Sequence, residues 1–207
     1  KDRVCVNIPP RHGKSQLVSI FYPAWFLGRN PDKKVMMVSH TTDLAVDFGR
    51  KVRNLIATEG YRAIFPSVKL AVDSKSAGRW NTNVGGEYYA TGVGSALAGR
   101  GADLLLIDDP HSEQDVINGN FVTFARAYDW YTFGARTRLM PGGRVAIIQT
   151  RWHMDDLTGR VVKDMAQNER ADEFEVVEFP AILEVDDKET GKPIQKPLWP
   201  EFFNLEA

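Results

Sequence analysis

The chain has one cysteine, Cys5, among 207 residues. A lone thiol can form neither an intramolecular disulfide nor a multi-cysteine zinc site, which excludes a fold stapled by either and makes a reducing compartment the expected setting. Long apolar runs are also missing: charge, glycine or proline interrupts every hydrophobic stretch, so no segment reads as a membrane span. The N-terminal residues Lys1-Asp2-Arg3-Val4-Cys5 enter a strand-like run without the apolar region of a signal peptide, so a soluble intracellular protein is expected. A chain that opens on a core strand is further expected to have lost a preceding segment. Net charge is nearly absent, since 26 Lys+Arg stand against 27 Asp+Glu. Any nucleic-acid contact must then come from a local basic patch, because the whole molecule supplies no positive field. There is no internal repeat and no low-complexity tract. With 43% hydrophobic and 26% charged residues, the chain has the composition of an ordinary globular domain with a core of its own.

Short apolar runs alternate with helix-period segments, the pattern of an α/β fold. Strands are expected at 4–8, 34–39, 104–107, 144–150 and 174–179. A helix is expected over 16–27, kinked or ended by Pro23. Another begins at Thr41 or Thr42, places Leu44, Phe48, Val52, Leu55 and Ile56 on one face, and is ended by Gly60. Residues 79–93 read as an antiparallel hairpin around Gly85-Gly86. The four consecutive branched aliphatics at 104–107 suit a central parallel strand covered on both faces. Further helices are expected over 120–139 and 155–165, with a turn at Pro141-Gly142-Gly143 between the first of them and the next strand. Residues 186–193 read as a loop.

The chemistry gathers at strand ends. Pro9-Pro10-Arg11-His12-Gly13-Lys14-Ser15 follows the first strand and precedes a helix, which makes a cradle of backbone N–H groups and helix dipole for a phosphate. In such a loop Lys14 reaches the β- and γ-phosphates and the Ser15 hydroxyl takes a Mg²⁺ ion. The match is partial, because Ile8 stands where the full pattern has glycine. Asp108 and Asp109 end the aliphatic strand at the edge where open α/β sheets bind ligands. Asp108 would serve the metal and Asp109 would act as general base toward water; a turn or helix cap is the alternative. Gln149-Thr150-Arg151 ends a third buried strand. If that strand lies between the other two, these side chains face the γ-phosphate; otherwise they are polar residues leaving a strand.

These residues resemble the large terminase subunits of tailed bacteriophages and prophages, the ATP-driven DNA-packaging motors. The resemblance is carried by PPRHGKS (9–15), PAWFLGRNP (23–31), RWNTNVGGEYYATGVGSALAGRGADLLLIDDP (79–110), TRLMPGGRVAIIQTRWHMDDLTGR (137–160) and LWPE (198–201). It implies a P-loop NTPase of the additional-strand (ASCE) type, with a mostly parallel sheet flanked by helices and a β-hairpin insertion. Residues 1–180 would be the motor domain and 181–207 a C-terminal extension toward an absent nuclease domain. ATP and Mg²⁺ are the implied cofactors, with ATP held by Pro10, Arg11, His12, Gly13, Lys14, Ser15 and Gln16 and the metal by Ser15 and Asp108. Lys14 and Asp109 would be catalytic, and Gln149, Thr150 and Arg151 would couple hydrolysis to movement. Arg11 could act on the phosphates of its own subunit, and Arg100 resembles the stretch that supplies a trans-acting finger in the ring. For both, an exposed or carboxylate-paired arginine is the alternative.

The implied partners are double-stranded DNA, the portal protein, the small terminase subunit and further copies of the chain in a ring, in the bacterial host cytoplasm, with no membrane. Many family members place Glu where this chain has Asp109, and their adenine-contacting segment lies upstream of the phosphate loop. A helicase-like translocase and a non-hydrolysing scaffold on the portal are the competing functions. Arg136, Arg138, Arg144, Arg151 and Arg160 are either DNA-phosphate contacts or ion-pair partners. The aromatics of 128–131 read as core or interface, His12 as positional, and Asp186, Asp187 and Glu189 as a solvated loop. His153, Asp155 and Asp156 read as a helix cap.

Overall fold

The computed structural model describes residues 2–74, 76–186 and 191–203. Its centre is a seven-stranded sheet in the order β3-β4-β2-β5-β6-β1-β7. The strands are β1 Arg3–Asn7, β2 Lys34–Ser39, β3 Arg79–Asn81, β4 Glu87–Gly92, β5 Ala102–Asp108, β6 Leu139–Gln149 and β7 Glu175–Glu178. Every neighbouring pair is parallel except β3 with β4. β6 lies between β5 and β1, the condition under which Gln149, Thr150 and Arg151 would end beside the other two strand ends. Register aligns Ser39 with Asp108, Asp108 with Ile148, and Gln149 with Asn7, so the polar ends of four adjacent strands share one sheet edge.

The sheet is covered on both faces, which is why β5 is an unbroken aliphatic run. Leu104 and Leu106 pack into a core with Ile20, Phe48 and Val52. Leu105 and Ile107 point the other way, to Cys5, Tyr131, Leu157 and Val161. The helices are α1 Tyr22–Arg29, α2 Thr42–Ile56, α3 Glu59–Ile64, α4 Glu113–Ile117, α5 Val122–Asp129 and α6 Leu157–Gln167. Thr41 caps α2 by accepting the Leu44 N–H, and the 3.6-residue spacing puts Phe48, Val52 and Ile56 inside.

Several expectations are corrected. Pro23 does not end the helix that follows the phosphate loop. A wider, π-type turn over Gln16–Phe21, in which the Tyr22 N–H reaches the Leu17 carbonyl, leads into α1 and puts the proline in its first turn, where no N–H is needed. Gly60 does not close α2; the helix stops at Ile56, Thr58 caps a new one and Gly60 lies within α3. The hairpin at 79–93 is present, but β4 pairs with β2 and is part of the main sheet. The helix expected over 120–139 is broken into α5, a π-type turn at Trp130–Ala135 and a short 3-10 turn at Arg136–Arg138. Pro141-Gly142-Gly143 is a bulge inside β6, where Ala102 pairs with Leu139 but Leu104 with Arg144, and Gly142 takes φ +75. Finally, β8 Ile182–Asp186 and β9 Pro193–Pro197, for which no strands were expected, pair antiparallel as a sheet of their own on either side of the segment read as a loop. Asp186 ends β8, while Asp187 and Glu189 lie outside the described residues.

Candidate functional site

The loop after β1 turns through two left-handed residues, Arg11 at φ +61 and Gly13 at φ +76. Such backbone is cheap for glycine and strained for arginine, and strain of this kind persists where the surroundings impose it. The Gly13 carbonyl then accepts the Leu17 N–H at 3.1 Å, which starts the helix. Lys14 is consequently turned inward and is 8% exposed. Its ammonium lies 2.8 Å from Asp109 Oδ2 and donates to Thr150 Oγ1 at 3.1 Å.

Asp109 is the second strained residue, with φ +42. Three hydrogen bonds besides the Lys14 contact hold it. Its N–H donates to the Ile148 carbonyl at 2.8 Å, its carbonyl accepts the His40 N–H at 3.2 Å, and its Oδ1 accepts the Thr150 N–H at 2.9 Å. The left-handed turn lifts its carboxylate off the sheet edge, while Asp108 stays in the strand. Asp108 is 1% exposed, and its Oδ2 accepts the Ser19 hydroxyl at 2.6 Å. Burial, then the charge of Asp109, pushes its carboxyl up to about 6, against the opposing pull of the Ser19 and Ser15 hydroxyls and of Lys14. Its other oxygen, Oδ1, is buried with no hydrogen-bond partner among the described residues. An unsatisfied carboxylate oxygen beside the Ser15 hydroxyl is a hard-oxygen donor set suited to Mg²⁺, which takes few protein ligands and completes its shell with phosphate and water. The expected metal ligands therefore fit the ion.

The residues expected to couple hydrolysis to movement divide. Thr150 is in the site, its hydroxyl also donating to the Ile8 carbonyl at 3.3 Å. Arg151 is fixed outside it, with Nε 2.8 Å from Asp156 Oδ2 and a guanidinium nitrogen 3.5 Å from Glu178. Gln149 is 1% exposed, and neither of its amide atoms has a hydrogen-bond partner among the described residues. Arg100 is not at the chain's own phosphate loop. It pairs with Glu87 at 3.2 Å and lies over the Tyr89 ring at 4.1 Å. Glu87 pairs with Lys34 at the start of β2, so Arg100 belongs to the opposite edge of the sheet. Arg11 is exposed and carries no ion pair among the described residues.

Pro10, Gly13 and Gln16 are exposed on the loop and the first helical turn. The His12 Nδ1–H donates to the Pro10 carbonyl at 2.8 Å, and the ring stacks on Phe203 at 4.8 Å. The 198–203 segment thus lies on the phosphate loop, a contact the sequence did not disclose. Ser19 was missed as well, although its spacing of four from Ser15 puts both on one helix face. Asp156 caps α6 by accepting the Gly159 N–H at 3.0 Å, in line with the cap reading of that segment. Arg136 and Arg144 pair with Asp172 and Asp2, the ion-pair alternative for the basic stretch.

No curated protein matches the chain. Among solved structures, the large terminase of bacteriophage HK97 is similar with a TM-score of 0.53 at 13% identity, over 92% of this chain and 36% of that one. The ATPase domain of the Thermus phage P74-26 large terminase is similar with a TM-score of 0.53 at 17% identity, over 87% and 76%. The large terminase of a thermophilic bacteriophage has a TM-score of 0.52 at 14% identity, over 86% and 40%. At these identities the likeness shows the fold, a P-loop sheet with an additional strand, and the chain spans little more than a third of the HK97 protein. A family model for the T4likevirus-type terminase large subunit, N-terminal part, matches residues 5–206. With a match over nearly its whole length, the chain belongs to the terminase large subunit family.

Proposed function

We propose that this chain is the ATP-hydrolysing motor domain of a DNA-packaging terminase and that it works with Mg²⁺. One observation carries the reading: a buried lysine from the phosphate loop bridges Asp109 and Thr150, so the ends of β1, β5 and β6 meet at one cation. Binding of the triphosphate would draw the Lys14 ammonium from Asp109 Oδ2 to the phosphate oxygens. Asp109 Oδ2 is then free to take a proton from the attacking water, while the Thr150 N–H keeps Oδ1 in place. Thr150 loses its Lys14 contact in the same movement, which makes it the sensor of an occupied site. The Ser15 hydroxyl and Asp108 Oδ1 would hold the ion, which neutralises phosphate charge when bound.

Exposed on its strained turn, Arg11 is available to phosphate oxygens of its own subunit. Arg100, paired with Glu87 away from its own phosphate loop, would serve a neighbour's site on leaving that pair, and its distance from its own loop supports a ring. Double-stranded DNA, the portal protein and the small terminase subunit are the partners that go with the family, in the host cytoplasm. Residues 1–180 would form the motor and 181–207 the linker toward a nuclease domain, with no nuclease activity in this part.

The test is Mg²⁺-dependent ATP hydrolysis as a function of protein concentration, for this chain and for Lys14→Ala. Turnover that requires Lys14 and rises faster than linearly supports a motor completed by a neighbour. Turnover that survives Lys14→Ala would overturn the site assignment.

A further inference from the structure

Two loops leave the catalytic edge of the sheet, one after Asp109 and one after Thr150, and both are fastened to one point, the N-terminus of α6. Pro110 follows Asp109 and fixes its own φ, so the next residue, His111, moves with the strained turn. His111 is 3% exposed, and its Nε2 accepts the N–H of Leu157, the first residue of α6, at 3.0 Å. That N–H is one of the helix-start donors with no partner inside the helix. Phe124 packs edge-on against the imidazole at 4.6 Å and holds its orientation. From the other loop, Arg151 grips Asp156, the 0% exposed N-cap of the same helix. The Thr150 N–H to Asp109 bond joins the two loops at the opposite end. The contacts close a ring: Asp109, Pro110, His111, Leu157, Asp156, Arg151, Thr150 and back to Asp109.

We propose that His111 is a positioning residue that ties the Asp109 turn to α6, so that release of Lys14 from the Asp109–Thr150 pair is delivered to the N-terminus of that helix. The inference rests on the nucleotide-site reading above. The imidazole is suited to the role because an acceptor is needed at Nε2, and burial keeps the ring unprotonated, with a pKa lowered to about 4. The output lies where α6 is open to partners, with Met154 78% and Val162 40% exposed beside its first two turns. A closed ring of covalent and hydrogen-bonded links, braced from outside by a Lys14 contact that nucleotide would remove, gives the two loops one shared path to α6.

The experiment is amide hydrogen exchange on the 207-residue chain with and without Mg²⁺ and ATPγS, for the wild type, His111→Leu and His111→Gln, together with kcat and KM for ATP. Glutamine can place its amide oxygen near the Nε2 position; leucine fills the space without an acceptor. In the wild type, nucleotide should change exchange at 10–16 and at 157–161. In His111→Leu the response at 10–16 should persist and that at 157–161 disappear, with kcat down about tenfold and KM within about twofold. His111→Gln should restore both the response and kcat. The proposal is overturned if 10–16 responds and 157–161 does not in the wild type, if His111→Leu transmits as the wild type does, or if glutamine is no better than leucine. No response at 10–16 in the wild type overturns the nucleotide-site reading itself, and this inference with it.

Discussion

The Lys14 ammonium lies 2.8 Å from Asp109 Oδ2, so the cation offered to a phosphate and the carboxylate proposed as base neutralise each other. The pair is partly buried, its side chains being 9% and 26% exposed, so it is held more firmly than a surface ion pair. In the proposed function a triphosphate would compete with Asp109 for Lys14, and its success would free the base at the moment substrate arrives. The predictions begin from this contact.

Asp109→Asn removes the competitor and the proton acceptor together. Hydrolysis should fall by about 10²–10⁴-fold, the usual worth of a positioned general base. Nucleotide binding should tighten by up to about fivefold, on the order of 1 kcal/mol, because Lys14 no longer leaves an ion pair. Turnover and equilibrium titration with a fluorescent ATP analogue test both halves. Weaker binding would mean that Asp109 positions Lys14 and does not withhold it.

Asp108→Asn should stabilise the fold while abolishing Mg²⁺-dependent turnover. The folded carboxyl titrates near 6 against an ordinary value of 3.8. The native state therefore keeps the proton longer than the unfolded chain, and the group costs stability as pH rises through about 4 to 6. Above that window the cost is about 3 kcal/mol, which the neutral amide escapes. Thermal unfolding in EDTA at pH 7.5 should show Asp108→Asn melting several degrees above the wild type; an equal or lower melting temperature refutes it.

His111 has the opposite sign. Its pKa is lowered to about 4 from 6.5, by burial first, against the pull of Asp156, Asp115 and Asp109 and with the help of Arg160. The unfolded chain binds the proton more readily, so this group's contribution is complete above about pH 6.5 and is lost as pH falls toward 4, by up to about 3 kcal/mol. Because Asp108 works against it in the same window, the measurement is a difference: the wild type should lose more stability than His111→Gln between pH 7 and 4.5 in denaturant titrations.

Arg100→Ala should lose turnover in assemblies and recover it on mixing with Asp109→Asn subunits, which keep Arg100 but cannot hydrolyse ATP. Arg100 sits at the sheet edge opposite its own Lys14 and can reach a phosphate only in another copy. Failure to recover on mixing would remove the trans role and leave Arg100 as the partner of Glu87.

The glycine-lysine-serine turn after an apolar strand, and the aliphatic run delivering two aspartates, singled out the candidate phosphate loop and both carboxylates from the residues alone, and the structure brings them together. Local patterns suffice there, because the backbone needs of a phosphate cradle and the two-sided burial of a parallel strand restrict which residues can follow one another. Helix periodicity likewise placed α2, with Thr41 or Thr42 as its cap, and the structure selects Thr41. Tertiary structure decided everything that depends on what lies across space. Nothing local says that Pro23 would be absorbed by a widened turn, that β4 would join the main sheet, or that 141–143 would bulge within β6. The same holds for Ser19 on Asp108, His111 at the start of α6, Phe203 stacked on His12, and Arg100 placed far from its own loop. Those contacts join residues tens of positions apart, or more than a hundred. For Ser19 on Asp108 and His111 on Leu157 the reason is the strand order, which sets β6 between β5 and β1 and so makes neighbours of ends that the chain keeps separate.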